Sequence, residues 1–223
     1  MKRSSGLLHS FAKSIADALF PQNVACALCN REALVGADGL CDDCRAALKP
    51  CPPLEARPPL DGLSAAFLYD GSVIGGIHRL KYDNRRYVAR FFAGALELPQ
   101  GWSPDCIVPV PLHPKKQWKR GYNQSELIAR FFSARCGVTV DTNMLVRTKN
   151  TRSQARLDMA ERCTNVLGAF SADSTAMGRS VLLLDDVTTT HSTLYACADA
   201  LKRAGAIRVY ALCVCAARFE ADC

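Results

Sequence analysis

Residues 181–193 read Val-Leu-Leu-Leu-Asp-Asp-Val-Thr-Thr-Thr-His-Ser-Thr. The first four side chains are apolar and indicate a buried strand, which carries Asp185 and Asp186 at its carboxyl end. Ligands of open α/β sheets bind at that edge, and N–H groups and hydroxyls at a helix start hold phosphate. Carboxylates repel phosphate and suit sugar hydroxyls and hydrated Mg²⁺ instead. The stretch therefore predicts a site for a phosphorylated sugar with magnesium.

Two other interpretations fit the same residues. A strand that ends in aspartate also occurs as the Walker-B strand of nucleoside triphosphatases. That class needs a Gly-x-x-x-x-Gly-Lys-Ser/Thr loop, and the chain has none. The second alternative is an acidic strand end followed by a threonine-rich helix cap that binds nothing. We prefer the phosphate site.

Short apolar stretches alternate with stretches of helical periodicity on both sides of this segment. Such alternation, with strands that are apolar throughout, is typical of a parallel sheet covered by helices on both faces. The sequence therefore predicts an α/β fold. The predicted strands are 63–69, 106–110, 181–184 and 209–214, and the predicted helices are 72–81, 86–96, 123–134 and 192–204.

A cysteine cluster precedes these elements. Two Cys-x-x-Cys pairs, Cys26 with Cys29 and Cys41 with Cys44, have the spacing with which zinc knuckles grip a metal from two sides. Four thiolates close the coordination shell, so the zinc would be structural, and metal binding would supply the folding free energy of so small a module. The alternative is four unrelated buried thiols. Cys51 is a fifth cysteine that follows the two pairs, and we leave it out of the ligand set.

The rest of the N-terminal region predicts two further segments. Residues 1–22 place apolar side chains along one helical stripe and predict an amphipathic helix, docked on its own domain rather than on a membrane surface. The prolines of residues 53–62 predict a stiff linker. Residues 23–52 then form the zinc module and residues 63–223 the main domain.

Composition bounds the class of protein. The chain has 223 residues, 49% of them hydrophobic and 22% charged, which indicates a globular protein. No apolar stretch predicts a signal peptide or a membrane span, so the 12 cysteines are expected to be reduced in the cytoplasm. The net charge of +7 favours an anionic partner and suits nucleic acid and a phosphorylated small molecule equally.

Several motifs together carry a family resemblance. The segment from Asp185 to Thr193 resembles the phosphoribosyl-pyrophosphate loop of type I phosphoribosyltransferases. Nearly the whole chain is similar to the ComF family, competence-protein-F-like phosphoribosyltransferases with an N-terminal four-cysteine zinc finger. The other matching stretches are Leu80-Lys81-Tyr82 before Arg85-Arg86, Val108-Pro-Val-Pro-Leu-His113 with Arg120-Gly-Tyr-Asn-Gln124, and Arg147-x-x-x-Thr151-x-x-Gln154-x-x-Leu157 before Arg162 and Asn165.

The resemblance implies a type I phosphoribosyltransferase fold with a zinc-ribbon-like module. It implies a transferase that takes phosphoribosyl from phosphoribosyl pyrophosphate with Mg²⁺ to an unidentified acceptor. It also implies a role in DNA uptake. One departure concerns His191, which stands where the family usually has glycine in the phosphate loop. A positive φ would cost histidine roughly 1 kcal/mol, and its imidazole would offer the phosphate a hydrogen bond in return.

The family's site maps onto this chain residue by residue. Asp185 and Asp186 would bind the ribose hydroxyls and orient Mg²⁺. The turn after 106–110 would hold the pyrophosphate, and Arg147–Leu157 would be a mobile loop closing over the site. The expected 5′-phosphate ligands are Thr189, Thr190, His191, Ser192 and Thr193, and the candidates for the pyrophosphate and the loop are Lys81, Arg120, Arg147 and Gln154.

Two alternatives to a transferase stay open. One is a catalytically weak or inactive sensor that binds phosphoribosyl pyrophosphate, and the other is an accessory protein that binds single-stranded DNA. Basic residues in the turn after 106–110 and in the loop Arg147–Leu157 favour a polyanion of either kind. Trp102 and Trp118 are isolated in the sequence, and we expect them to pack locally rather than to form a base-stacking stripe.

Overall fold

A computed structural model describes residues 25–148 and 168–217. The strands in chain order are β1 (Gly62–Leu68), β2 (Cys106–Pro109), β3 (Leu145–Arg147), β4 (Phe170–Ala172), β5 (Ser180–Thr188) and β6 (Arg208–Ala216). The helices are α1 (Asp42–Ala46), α2 (Gly71–Tyr82), α3 (Val88–Ala95), α4 (Pro114–Arg120), α5 (Gln124–Cys136) and α6 (Ser192–Arg203).

The central sheet is parallel and runs in the order β1, β6, β5, β2. β5 lies inside it, paired with β6 on one side and β2 on the other. Other elements pack on both faces of β5, which is why its apolar residues form a continuous run instead of alternating with polar ones. A separate antiparallel pair, β3 with β4, packs beside α6. The predicted α/β fold is confirmed.

Each face of the sheet has its own hydrophobic core. On one face, Leu182 and Leu184 pack with side chains of α2, α3 and α5, such as Phe92 and Phe132. On the other face, Val181 and Leu183 pack with α6 and with the β3–β4 pair. Successive residues of a strand point to opposite faces, so the two cores divide β5 between even and odd positions.

The cysteine-rich segment packs directly on the main sheet's helices. Leu28 and Leu40 are fully buried and belong to the same core as Ile77 of α2. Gly76 makes this approach possible, because a Cβ there would lie 2.5 Å from Leu28 Cδ2. The four-cysteine segment and the sheet thus share one core. The boundary placed at residue 53 stays a prediction.

Short backbone segments lie along both outer strands of the sheet. On the β1 side, the N–H of Leu68 donates to the carbonyl of Lys49 at 2.9 Å. On the β2 side, the N–H of Ile107 donates to Thr139 O at 2.8 Å, and Ile107 O accepts from the N–H of Asp141 at 2.9 Å. Each outer strand therefore has a hydrogen-bonded neighbour.

The elements predicted around the central strand agree with the structure to within a few residues. The strand predicted over 181–184 is longer, Ser180–Thr188, so both aspartates lie inside it. Helix α4 and the β3–β4 pair were not predicted. The helix predicted over 1–22 lies outside the described residues, as does the predicted loop beyond Thr148.

Candidate active site

The two adjacent carboxylates of β5 belong to opposite faces of the sheet. Asp186 continues the series of Leu182 and Leu184, whereas Asp185 continues that of Leu183. Both aspartates are buried. Because they lie near the carboxyl end of an inner strand, the acidic pair straddles the edge of the sheet where ligands of α/β proteins bind.

Asp186 is held by one donor at each carboxylate oxygen. Its Oδ2 lies 2.5 Å from the ammonium nitrogen of Lys81, at the end of α2. Its Oδ1 accepts from Nε2 of Gln124 at 3.3 Å. Burial lowers the pKa of Lys81, but the charge of Asp186 and the contact with it raise that pKa above its ordinary value. The lysine therefore stays charged although it is largely shielded from water.

Asp185 lies in a different environment. Its Oδ1 accepts from the hydroxyl of Ser125 at 2.8 Å and from the backbone N–H of Asp186 at 2.9 Å. Burial, and next the negative charge of Asp186, raise the pKa of Asp185 from 3.8 to about 7. The two carboxylates thus have different partners: Asp186 is paired with the ammonium of Lys81, whereas Asp185 accepts from a hydroxyl and a backbone N–H.

The loop after β5 turns sharply at His191 and enters α6. His191 has φ 55° and ψ 0°, in the left-handed region. Its Nδ1 lies 2.7 Å from the hydroxyl of Thr188, and the Thr190 hydroxyl lies 2.7 Å from that of Ser192. A concavity at this loop is lined by Asp185 and residues 187–194. Hydroxyls and the N-terminal amides of α6 thus surround a space beside the carboxylates.

Three cations near the acidic pair act on one another electrostatically: Lys116, Arg120 and Arg147. Burial lowers the pKa of Lys116, and the neighbouring charges of Arg147 and Arg120 lower it further. Burial, and next the charge of Arg147, lower the pKa of His113. Burial lowers the pKa of Arg147 as well, and the charge of Asp185 acts in the opposite direction. Arg120 donates to Oε1 of Gln124. A bound anion would relieve the repulsion among these positive charges.

The four cysteines form a compact cluster apart from this edge. One ligand atom from each of Cys26, Cys29, Cys41 and Cys44 lies within 4.8 Å of all the others, and Cys29 Sγ is 3.8 Å from Cys41 Sγ. Zn–S bonds of about 2.3 Å place tetrahedral sulfurs about 3.8 Å apart. The donor set and its spacing therefore fit a structural zinc ion.

The environment of Cys26 also suits a thiolate. Burial raises the pKa of Cys26, but backbone donors of Cys29, Cys41 and Leu28 more than offset this effect and bring it to about 6. Amide groups that converge on a sulfur stabilise its anionic form, which is the form that binds metal.

Sequence relatives decide the family. No protein-family model matches the chain. The DNA utilization protein YhgH of Escherichia coli K12 is 30% identical over 217 residues, which cover 85% of this chain and 96% of that protein. The competence protein F of Haemophilus influenzae is 29% identical over 212 residues, covering 82% and 93%. The chain belongs to the ComF family.

Solved structures overlap part of this ComF chain. The glutamine phosphoribosylpyrophosphate amidotransferase of Bacillus subtilis overlaps 63% of the chain with a TM-score of 0.39 and 18% identity, and the chain spans only 28% of its length. A phosphoribosyltransferase of Corynebacterium diphtheriae overlaps 66% with a TM-score of 0.37 and 16% identity, covering 88% of that protein. The overlaps are partial, and the family assignment rests on the sequence relatives.

The ComF structure brings most of the predicted site residues to one edge of the sheet. Lys81 contacts Asp186, which is next to Asp185 in β5, and Arg120 is linked to Asp186 through Gln124. Residues 189–193 line the adjacent concavity. Gln154 lies outside the described residues. The roles assigned to these residues stay predictions.

Besides Lys81, two further residues hold the carboxylates, Gln124 and Ser125, and the sequence analysis did not assign them to the site. A signal for Gln124 was present in the sequence, because Gln124 ends the motif that begins at Arg120.

The prediction that Trp118 packs locally was wrong. Its side chain is 87% exposed, whereas Trp102 does pack locally, stacked on Tyr210 at 4.6 Å. Among the described helices, none is long and apolar enough to cross a membrane.

Proposed function

We propose that this ComF protein binds phosphoribosyl pyrophosphate with Mg²⁺ and transfers the phosphoribosyl group to an acceptor. One observation carries the proposal: a buried carboxylate pair, a hydroxyl-lined helix start and several cations lie near the same edge of the sheet. The ligand has three parts that these groups can bind. Its 5′-phosphate suits the loop at residues 189–193, its ribose hydroxyls suit the carboxylates, and its pyrophosphate suits the cations.

Magnesium fits the donor set at this edge. Asp185 and Asp186 offer the oxygen ligands that Mg²⁺ prefers, directly or through its hydration shell. When bound, the ion neutralises charge on the pyrophosphate leaving group. The protein's own residues bind the three parts of the ligand. Asp186 and Asp185 fix the ribose, Arg120 and Lys116 attract the pyrophosphate, and the loop at His191 anchors the 5′-phosphate.

The transfer step balances without a nucleophile from the protein. The bond between ribose C1 and the pyrophosphate oxygen breaks, and its electron pair leaves with pyrophosphate. A nitrogen lone pair of the acceptor forms the new bond to C1, and the nitrogen's proton passes to solvent. In this proposal the carboxylates face the ribose ring, where positive charge develops, and so favour that transition state.

The four-cysteine cluster would bind one structural zinc ion. Its four sulfurs leave no open coordination position, so the ion would not take part in the transfer. A role of the whole protein in DNA uptake is proposed from the relatives, which are named for competence and DNA utilization.

Calorimetric titration with phosphoribosyl pyrophosphate and Mg²⁺ tests the proposal. We expect binding by the wild type and at least about tenfold weaker binding by Asp185→Asn and Asp186→Asn. Asp199→Asn is the matched control, because this aspartate of α6 makes an exposed ion pair with Arg203. Equal affinities for the wild type and both site variants would show that the site assignment is wrong. Release of pyrophosphate in the presence of candidate acceptors then separates a transferase from a sensor.

A second candidate function is binding of single-stranded DNA at α4. This helix exposes Trp118 and carries Lys115, Lys116 and Lys119 on either side of it. An exposed aromatic ring among cations is the combination on which bases stack while the backbone is neutralised. The exposed position of Trp118 supports this second candidate function.

A further inference from the structure

Gln124 lies between a group that only donates hydrogen bonds and a group that only accepts them. The guanidinium of Arg120 donates to Gln124 Oε1, and Gln124 Nε2 donates to Asp186 Oδ1 at 3.3 Å. A guanidinium has no acceptor and a carboxylate has no donor, so the amide fits in one orientation. The orientation of Asp186 is therefore coupled to Arg120, the candidate cation for pyrophosphate.

Ser125 donates a hydrogen bond to the other carboxylate, that of Asp185. Its hydroxyl donates to Asp185 Oδ1 at 2.8 Å, and the backbone N–H of Asp186 donates to the same oxygen at 2.9 Å. Ser125 is fully buried. Among the described residues, none donates to the second oxygen of Asp185. Two donors on one oxygen fix the plane of the carboxylate, so the other oxygen is presented in one direction.

The start of α5 is itself fixed in place. Asn123 Nδ2 donates to the carbonyl of Val110, at the end of β2, at 3.0 Å. Asn123 Oδ1 accepts from the N–H of Ser125 at 3.1 Å and caps the helix. The first residues of α5 therefore cannot shift relative to the turn after β2 without breaking this contact.

We propose that Gln124 and Ser125 are positioning residues that hold the two carboxylates in the geometry required for the ribose of phosphoribosyl pyrophosphate. The proposal rests on the proposed function. Consecutive strand residues point to opposite faces, so Asp185 and Asp186 would not face one ligand unless something at the sheet edge oriented both. The start of α5 meets both carboxylates with consecutive side chains.

Four substitutions test this role by calorimetric titration with phosphoribosyl pyrophosphate and Mg²⁺. Ser125→Ala removes the hydroxyl, and Gln124→Met removes the amide at similar length. We expect each to raise the dissociation constant about ten- to a hundredfold, as expected for losing a hydrogen bond to a charged group. Ser125→Thr keeps the hydroxyl and is expected to restore binding to within a few-fold. Gln124→Glu places a carboxylate against Asp186 and is expected to abolish binding.

Two controls distinguish positioning from folding. Ser133→Ala changes the same helix away from the site, and Gln117→Met changes an exposed glutamine of α4; both should bind like the wild type. Thermal midpoints and circular dichroism are measured for every variant, at temperatures where each is folded. A purely structural role would lower the midpoint while the folded protein kept its affinity.

The outcomes separate this inference from the function it rests on. If folded wild type gives no heat with phosphoribosyl pyrophosphate and Mg²⁺, the proposed function fails. If the wild type binds and folded Ser125→Ala and Gln124→Met bind within twofold of it, the positioning role is wrong and the proposed function stands.

Discussion

The ammonium nitrogen of Lys81 lies 2.5 Å from Asp186 Oδ2, with the side chains only 22% and 4% exposed. Lys81 comes from the end of α2 and Asp186 from β5, so this pair joins a helix of the first half of the chain to the central strand. Two charges so shielded from water stabilise each other strongly, and either one left alone would be costly.

Lys81→Met should destabilise the protein by about 3–5 kcal/mol, because it leaves the carboxylate of Asp186 buried without its counter-ion. Urea denaturation measures this free energy of unfolding. The matched control is Lys49→Met, which breaks the exposed Lys49–Asp70 pair and should cost less than about 1 kcal/mol. Similar losses for the two variants would contradict the assignment of a shielded pair.

The raised pKa of Asp185 predicts a pH dependence of stability in the ligand-free protein. Burial, and then Asp186, raise this pKa from 3.8 to about 7, so the native state binds the proton more tightly than the unfolded chain. The stability contributed by that proton is complete below about pH 4 and is lost as the pH rises through 7.

The Asp185→Asn variant lacks this titration. Between about pH 5 and pH 8 its thermal midpoint should therefore fall less than that of the wild type. Asp199→Asn serves as the control and should follow the wild type. Parallel curves for the wild type and Asp185→Asn would exclude a raised pKa at this position.

His191 adopts a positive φ that costs a non-glycine residue energy. His191→Gly removes this strain but also the contact with Thr188, so we expect the free energy of unfolding to change by less than about 1 kcal/mol. His191→Val keeps a side chain, branched at Cβ, where φ is positive and should lose about 1–2 kcal/mol. Urea denaturation compares the two. His191→Gly is also expected to keep affinity for phosphoribosyl pyrophosphate, and loss of binding would mean that the imidazole itself holds the ligand.

The cysteine cluster predicts one zinc ion per chain. Cys41→Ser should bring the zinc content, measured by elemental analysis, from one ion to near none, because one of four ligands is lost. The thermal midpoint of the whole protein should fall with it, since the cluster shares a core with α2. Cys136→Ser, at the end of α5, should retain the zinc. A zinc-free protein of unchanged midpoint would argue against a structural metal.

Exposed Trp118 predicts a fluorescence signal if single-stranded DNA binds at α4. Titration with an oligonucleotide should quench tryptophan emission, and affinity should fall steeply with salt. Trp118→Ala should weaken binding by about 1–3 kcal/mol, the usual value of one stacked base. The control is Trp102→Phe, because Trp102 is stacked on Tyr210. Salt-independent binding would point away from a polyanion at this helix.

Much of the fold follows from local patterns that the sequence displays. The run from Val181 to Leu184 predicts an inner strand because a strand covered on both faces needs no polar alternation. The extent of that strand was underestimated, since Asp185 and Asp186 interrupt the apolar run although their backbone continues the ladder. The β3–β4 pair has three residues per strand, too short for a period to show.

Within one segment the residues themselves predict the site. Lys81 and Arg120 come from distant segments and were assigned to the site through the family resemblance, whereas Ser125 was missed. Asp185 and the loop at His191 are adjacent in sequence, so one motif shows both. Ser125 is 60 residues from Asp185, and only the packing of α5 on β5 brings them together. A serine inside a helix has many ordinary roles, so its sequence context alone does not assign this one.

The backbone segments at Lys49 and Thr139 have a consequence for solution behaviour. A bare strand edge is a template on which other polypeptides add strands, which leads to domain exchange or fibrils. Here the chain occupies both margins of its own sheet with hydrogen-bonded neighbours at Leu68 and Ile107. Another polypeptide could pair with the backbone at Leu68 or Ile107 only after the segment at Lys49 or Thr139 had been displaced. Any assembly there would therefore have to join side-chain surfaces rather than extend the sheet.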